Sequence, residues 1–262
     1  LKIPTLELNT GRSIPAFGLG TWQLRGDDCV RAVSLALEIG YTHIDTSDDY
    51  GNEEEIGRAL RGFDREKVFI TSKVDDSMLR KDDVVRGCEG SLKRLGVDYI
   101  DLYLIHRPNP TIPISETMQG MKMIVDRGWV RNIGISNFGE RGTAEAVDAA
   151  EIPVCNNQIK IHPYHYPAEL IGFLQERNIT VTAYSPLDTG QLVRDDLLTQ
   201  IGERHGKSAA QVSIRWLLDR GLVVIPKATT EDHVRENIDF DWELSDEDDS
   251  RIEDPSVKAM RG

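Results

Sequence analysis

Cysteine is scarce in this sequence: three occur in 262 residues, Cys29, Cys88 and Cys155, an odd number with no close pair. That excludes a disulfide framework and a C-x-x-C metal or redox site, and it fits a reducing compartment. Positive charge is short as well. Against 44 Asp and Glu stand 31 Lys and Arg, a net charge of −13, which argues against nucleic acid or an anionic membrane as a partner, since both bind through cationic patches. No apolar run approaches the ~18 residues of a membrane span, and the opening LKIPTLELNT lacks the basic-then-apolar order of a secretory leader. The expectation is a cytoplasmic protein acting on small molecules, although Leu1 in first place suggests that a few initial residues are missing.

What is present points to an ordinary folded chain. The hydrophobic share is 39%, and 22 glycines bring the total near that of globular proteins. The length exceeds that of most domains but fits the roughly 250 residues of a β/α barrel, so one domain over 1–262 is expected. The charges divide into 21 Arg with 10 Lys and 25 Asp with 19 Glu, a composition that resembles salt-adapted proteins. The plainer alternative is an acidic enzyme kept soluble by its charge.

Short β-branched runs recur at 16–22, 41–46, 68–73, 99–106, 130–137, 154–161, 179–185 and 222–227. Between them lie segments of helical period, such as CVRAVSLALEIG and DDVVRGCEGSLKRLG, each ending on a glycine stop. Strand and helix in repeated alternation imply parallel βαβ units, and eight of them imply closure into a (β/α)8 TIM barrel. The widest gap, 186–221, reads as two helices. Two short runs around Asn9-Thr10-Gly11-Arg12 read as an N-terminal β-hairpin capping one mouth of the barrel. LSDEDDSRI reads as a short surface helix capped at Ser245, and the acidic run Glu53–Glu55 as the solvated first turn of another.

Seven of the eight runs end on polar or ionisable groups: Asp45, Lys73, His106, Ser136 with Asn137, Gln158, Tyr184 with Ser185, and Lys227. Any one of these is ordinarily a satisfied strand-end group. A parallel barrel, however, brings all strand C-termini to one face, where such folds keep their active sites. Asp45, Lys73 and His106, with Tyr50 in the loop after the second run, have a chemical logic. A phenol is a poor acid at neutral pH unless a cation stabilises its phenolate, and a two-unit shift needs only about 2.7 kcal/mol. Lys73 supplies that cation and Asp45 holds it charged. Tyr50 then acts as general acid toward a carbonyl oxygen, with His106 as a second donor, and the reaction class is carbonyl reduction.

At these residues the sequence resembles the aldo-keto reductase family, in particular its diketogluconate-reductase-like bacterial and archaeal members. The segments that carry the likeness run in the family's order: GLGTW (18–22), DTSDDYGNEEEIG (45–57), the Lys73 strand end, LYLIH (102–106), GISNF (134–138), NNQ (156–158), AYSPL (183–187) and IPK…EN (225–237). The resemblance implies a catalytic tetrad of Asp45, Tyr50, Lys73 and His106, with hydride transfer from a reduced nicotinamide and no metal. It further implies that Thr21, Ser136, Asn137 and Gln158 hold the nicotinamide end and that Tyr184 stacks on its ring. Ser185, Pro186 and Leu187, with Lys227, Ala228, Thr229, His233, Glu236 and Asn237, would grip the phosphates and adenosine. It also implies a monomer, as the family often is.

Three departures from the family pattern bear on specificity. Where many members that prefer the 2′-phosphorylated cofactor carry arginine, this chain has His233, and a neutral imidazole binds phosphate less well than a guanidinium. Lys227, Thr229 and Arg235 remain available, so NADPH is expected first, with NADH or dual use as the alternative. Arg107 and Asp75 stand where many relatives have tryptophan; either they give a wetter pocket for small polar or carboxylate-bearing carbonyls, with Trp22 as the remaining apolar wall, or they pair with each other or face solvent. The short acidic tail after Phe240 suggests an open site. His162 and His165 form an H-x-x-H with Pro163 between them, but no cysteine or carboxylate at metal-site spacing joins them. Competing readings are a nicotinamide-binding sensor with little turnover and a Schiff-base aldolase using Lys73 or Lys227.

Overall fold

A computed structural model describes residues 2–254. Residues 255–262, and with them the end of the acidic tail, lie outside the described residues. The first two short runs pair as an antiparallel hairpin, β1 (Thr5–Glu7) with β2 (Ser13–Pro15), Leu6 opposite Ile14. Eight strands follow in parallel and in sequence order: β3 (Leu19–Gly20), β4 (His43–Asp45), β5 (Phe69–Val74), β6 (Leu102–Ile105), β7 (Ile133–Ser136), β8 (Val154–Lys160), β9 (Thr180–Tyr184) and β10 (Val223–Val224). The ladder closes on itself, with Gly18 N donating to Val224 O and Gly20 N to Pro226 O, both at 3.0 Å. A Cβ at Gly20 would lie 2.6 Å from Ile225 O, so only glycine permits the seam to come this close.

Helices separate the strands because their apolar residues recur with the helical period. In α1 (Gly26–Ile39) the buried residues are Cys29, Ala32, Val33, Ala36 and Leu37, a single stripe facing the sheet. Gly40 ends it at φ 116°, its N–H reaching back to Ala36 and Leu37 carbonyls. The other barrel helices are α2 (Glu53–Leu60), α3 (Lys81–Leu95), α4 (Ile114–Asp126), α5 (Glu140–Ala149) and α6 (Ala168–Glu176), followed by α7 (Asp196–His205), α8 (Ala209–Asp219) and α9 (Glu231–Ile238). The two helices expected in 186–221 are α7 and α8. Before them lies a stretch the sequence did not announce, Asp188–Arg194, a 3-10 segment with left-handed Thr189 and Gly190.

Inside the barrel, Leu102, Leu104, Cys155, Val223 and Ile225 pack with Leu8 and Ile14 of the hairpin segment. Asn9 Nδ2 donates to Val154 O at 3.0 Å and Thr10 Oγ1 to Asn132 Oδ1 at 2.7 Å. Both partners stand at strand beginnings, so the hairpin plugs the end opposite the strand C-termini.

One surface assignment needs correction and another a refinement. Glu53 does not belong to a solvated turn: it is 1% exposed, accepting from Ser72 Oγ at 2.6 Å and Arg94 Nε at 2.8 Å. The local pattern of three glutamates conceals that one faces the barrel. The acidic helix α10 (Asp246–Glu253) forms with its Ser245 cap, yet Asp248 is buried, bonded to His205 and ion-paired with Arg204 of α7. Its charge is thus an anchor for the helix.

Candidate active site

The C-terminal strand ends converge as expected. From β4, β5 and β6 come Asp45, Lys73 and His106, and a 3-10 turn, Asp48–Tyr50, presents Tyr50. The turn is short because Gly51 takes φ 59° immediately after the tyrosine, a left-handed conformation suited to glycine. Lys73 Nζ donates to Asp45 Oδ1 at 2.6 Å, to Thr46 O at 2.7 Å and to Tyr50 Oη at 3.4 Å. These three acceptors use all three ammonium protons. The second oxygen of Asp45 accepts from Gln158 Nε2 at 2.7 Å, which ties β4 to β8 across the barrel.

Burial and charge compete at each group. Burial works to deprotonate Lys73, but the Asp45 carboxylate at contact distance overcomes it and the net shift is upward. His106 is pushed down to about 3, first by burial and then by the Lys73 ammonium, so its imidazole is neutral at physiological pH. Tyr50 corrects the sequence reasoning. Burial raises its pKa, and the Lys73 ammonium opposes that rise without cancelling it. The phenol keeps its proton, and the ammonium's contribution is to stabilise the phenolate once the proton has left. The rings of Tyr50 and His106 meet edge to face, with centroids 5.8 Å apart.

From this cluster an open cleft of about 870 Å³ runs along the barrel mouth, within the usual size range of small-molecule sites. All fourteen positions expected at a nucleotide line it: Thr21, Ser136, Asn137, Gln158, Tyr184, Ser185, Pro186, Leu187, Lys227, Ala228, Thr229, His233, Glu236 and Asn237. Trp22 and Arg107 line it too, whereas Asp75 does not. The Asp75 carboxylate turns back on Ser77, accepting from its N–H at 2.8 Å and its hydroxyl at 2.5 Å. Arg107 and Asp75 are not in ion-pair contact, although the Arg107 charge is among the influences that lower the Asp75 carboxyl pKa, after the hydrogen bonds from Ser77; Arg107 stands exposed at the cleft beside His106.

The chemistry of the cleft changes along its length. At the buried end are the amides of Asn137 and Gln158 and the Ser136 hydroxyl, the last donating to Gln158 O at 2.8 Å. Tyr184 donates to Asn137 Oδ1 at 2.9 Å, fixing that amide's orientation. At the open end Lys227 Nζ donates to Gln23 Oε1 at 3.0 Å, and α9 is capped by Thr230, whose hydroxyl accepts from His233 N. The cleft thus runs from amide and hydroxyl groups, past the Tyr184 ring, to a cationic, polar end. Non-glycine residues in the left-handed region gather here as well: Gln23, Asn137, Ser185 and Thr189 line the cleft and Asp188 adjoins Thr189, as backbone strain tends to at functional sites.

Sequence reasoning missed Gln23, Lys160 and Arg194, which also line the cleft. Lys160 had a readable signal, since it lies two residues beyond Gln158 on the same face of β8. Gln23 and Arg194 had none, because both depend on loop conformation. His162 and His165 face each other through backbone hydrogen bonds, and His162 lies 3.5 Å from Asp188, which Lys160 also binds at 2.7 Å.

Fold and site together define a (β/α)8 barrel with a buried Asp-Lys-Tyr-His cluster opening on a long polar cleft. The sequence matches the aldo/keto reductase family over residues 16–255. It is 41% identical over 253 residues to an aldo-keto reductase of Mycolicibacterium smegmatis, covering 95% of this chain and 92% of the relative. It is 40% identical over 253 residues to the glyoxal reductase of Bacillus subtilis, covering 95% and 91%. Among solved structures, a Bombyx mori aldo-keto reductase in complex with NADP superposes with a TM-score of 0.89 at 36% identity, covering 97% of this chain and 92% of that one. The protein belongs to the aldo/keto reductase family, and its reaction is the NAD(P)H-dependent reduction of a carbonyl to an alcohol.

Proposed function

We propose that the protein is an NADPH-dependent reductase of small aldehydes and ketones in which Tyr50 is the general acid, Lys73 and Asp45 support it, and His106 is the second donor to the carbonyl oxygen. The observation that carries this reading is the branching of Lys73 Nζ between Asp45 Oδ1 at 2.6 Å and Tyr50 Oη at 3.4 Å. A phenol oxygen that accepts from an ammonium has its own proton free to donate outward. Bound in the cleft, a reduced nicotinamide supplies the hydride that adds to the carbonyl carbon.

The side chains then act on the oxygen. Tyr50 Oη and neutral His106 meet the developing negative charge, Tyr50 gives up its proton to it, and the ammonium of Lys73 stabilises the phenolate left behind. Asp45 keeps Lys73 charged in a place where burial alone would neutralise it. Thr21, Ser136, Asn137, Gln158 and Tyr184 hold the nicotinamide end, and Ser185 to Leu187, Lys227 to Thr229, His233, Glu236 and Asn237 hold the rest.

For the 2′-phosphate, Lys227, Thr229 and His233 line the open end, whereas Arg235 is tied to Glu231 at 2.7 Å. Lys227 and Thr229 support NADPH as the first choice, while His233 in place of arginine and the engaged Arg235 keep NADH or dual use as the alternative. Kinetics with both dinucleotides test the preference, and equal Michaelis constants would refute it. Arg107, exposed at the cleft beside His106, suits substrates that carry a carboxylate near the carbonyl. The aldolase reading gains nothing from Lys73, which is fully buried and held charged; borohydride trapping with substrate but without nicotinamide tests it for Lys227. A monomer in the cytoplasm completes the reading; no helix among the described residues is long and apolar enough to cross a membrane. The aspartate-rich surface is adapted to high salt, and unfolding followed across salt concentration tests this: greatest stability at low salt would refute it.

The direct test of function is cofactor oxidation with a panel of aldehydes, ketones and keto acids. Turnover is expected; tight nucleotide binding without turnover would favour the sensor reading.

A further inference from the structure

Ser47 stands at the N-cap of the turn that carries Tyr50, in extended conformation at φ −159° and ψ 151°. Serine at this position ordinarily accepts a hydrogen bond from the backbone of the turn that follows. Here it makes no such bond. Its carbonyl accepts from Tyr50 N at 3.1 Å, and its hydroxyl is directed away from the turn, 3.2 Å from His106 Nδ1. The side chain is completely buried, so no bulk water replaces this contact, and leaving the hydroxyl or the ring nitrogen unpaired there is unfavourable.

A neutral imidazole carries one ring proton, and the partner of one nitrogen decides which nitrogen holds it. If Nδ1 accepts from Ser47, the proton is on Nε2, and the ring presents a donor to a carbonyl oxygen. If Nδ1 donates to Ser47, the ring presents a bare lone pair that repels that oxygen. The second arrangement opposes the reaction. Building on the reading that His106 assists carbonyl reduction, we propose that Ser47 is a positioning residue that donates its hydroxyl proton to His106 Nδ1, thereby fixing the Nε2–H tautomer and the angle of the ring. Through its carbonyl it also sets the start of the Tyr50 turn, so one side chain and one backbone group of the same residue orient both oxygen-facing donors.

The test is nitrogen NMR of the histidine-labelled protein without substrate, with the His106 signals assigned by their loss in His106→Asn, beside the kinetics of Ser47→Ala. The expected result is a proton on Nε2 and a hydrogen-bonded, unprotonated Nδ1 in the parent. In Ser47→Ala the Nδ1 signal should move to that of a nitrogen without a donor. Turnover number should fall about two- to tenfold, the value of one hydrogen bond, with the dissociation constant for NADPH unchanged. A proton on Nδ1 in the parent overturns the proposal, as does a Ser47→Ala protein with unchanged His106 signals. The spectra need no turnover, so their outcome is separate from that of the carbonyl assay that tests the reductase reading itself.

Discussion

The two ends of the barrel are built from the same strands and have opposite characters. At the bottom, Leu8 and Ile14 seal an interior of aliphatic side chains, and the hairpin binds strand beginnings through two neutral hydrogen bonds. At the mouth, Lys73 and Asp45 form an ion pair with side chains 0% and 2% exposed, and left-handed residues cluster around the cleft. A buried pair of this kind contributes little net stability, because desolvation offsets most of its attraction. The contrast teaches that the bottom holds the fold together, while the mouth spends part of that stability on groups kept in reactive states.

That division can be broken experimentally. The largest effect is expected for Lys73→Met, which leaves Asp45 buried without its cation: a loss of about 3–5 kcal/mol in denaturant unfolding, together with loss of turnover. Ile14→Ala at the bottom should cost about 2–5 kcal/mol and leave the turnover number of the folded protein unchanged. A parallel fall in turnover would show that plug and mouth are not separable. Comparable in total, but spread over several pH units, is an acid effect with one contributor in the wall and one at the mouth. His43 and His106 are each held down to about 3 mainly by burial. Below the ordinary histidine value of about 6.5 the unfolded chain takes up protons that the fold refuses, so each contributes a fall in stability of about 1.4 kcal/mol per pH unit as pH drops toward 3. Stability against pH for His43→Gln and His106→Gln should each lack one such slope, and only the second should lose activity. Smallest is Arg107→Ala, expected to reduce kcat/KM for a keto acid relative to a neutral aldehyde by about three- to tenfold; an unchanged ratio would remove Arg107 from substrate recognition.

Much of this was legible in the sequence because barrel topology turns spacing into position. Once eight strands are parallel, the residues at their ends must meet, and Asp45, Lys73, His106 and Gln158 do. Reading failed where position depends on loops or on distant partners. Asp75 follows Lys73 by two residues, yet Ser77 draws its carboxylate off the cleft. Glu53 looked solvated because nothing local indicates that Arg94, 41 residues away, comes to meet it. The acidity of Tyr50 was misjudged for a different reason: a cation is visible in sequence, but the degree of burial that opposes it is not.

In the proposed reaction Tyr50 supplies the proton. Tyr50→Phe removes one oxygen and leaves the ring, the ion pair and the cleft in place, so single-turnover oxidation of bound NADPH by an aldehyde, with NADPH affinity measured alongside, tests it directly. A loss of about 10²–10⁴-fold in that rate with affinity for the dinucleotide retained is expected; a rate equal to that of the parent would show that the proton comes from elsewhere.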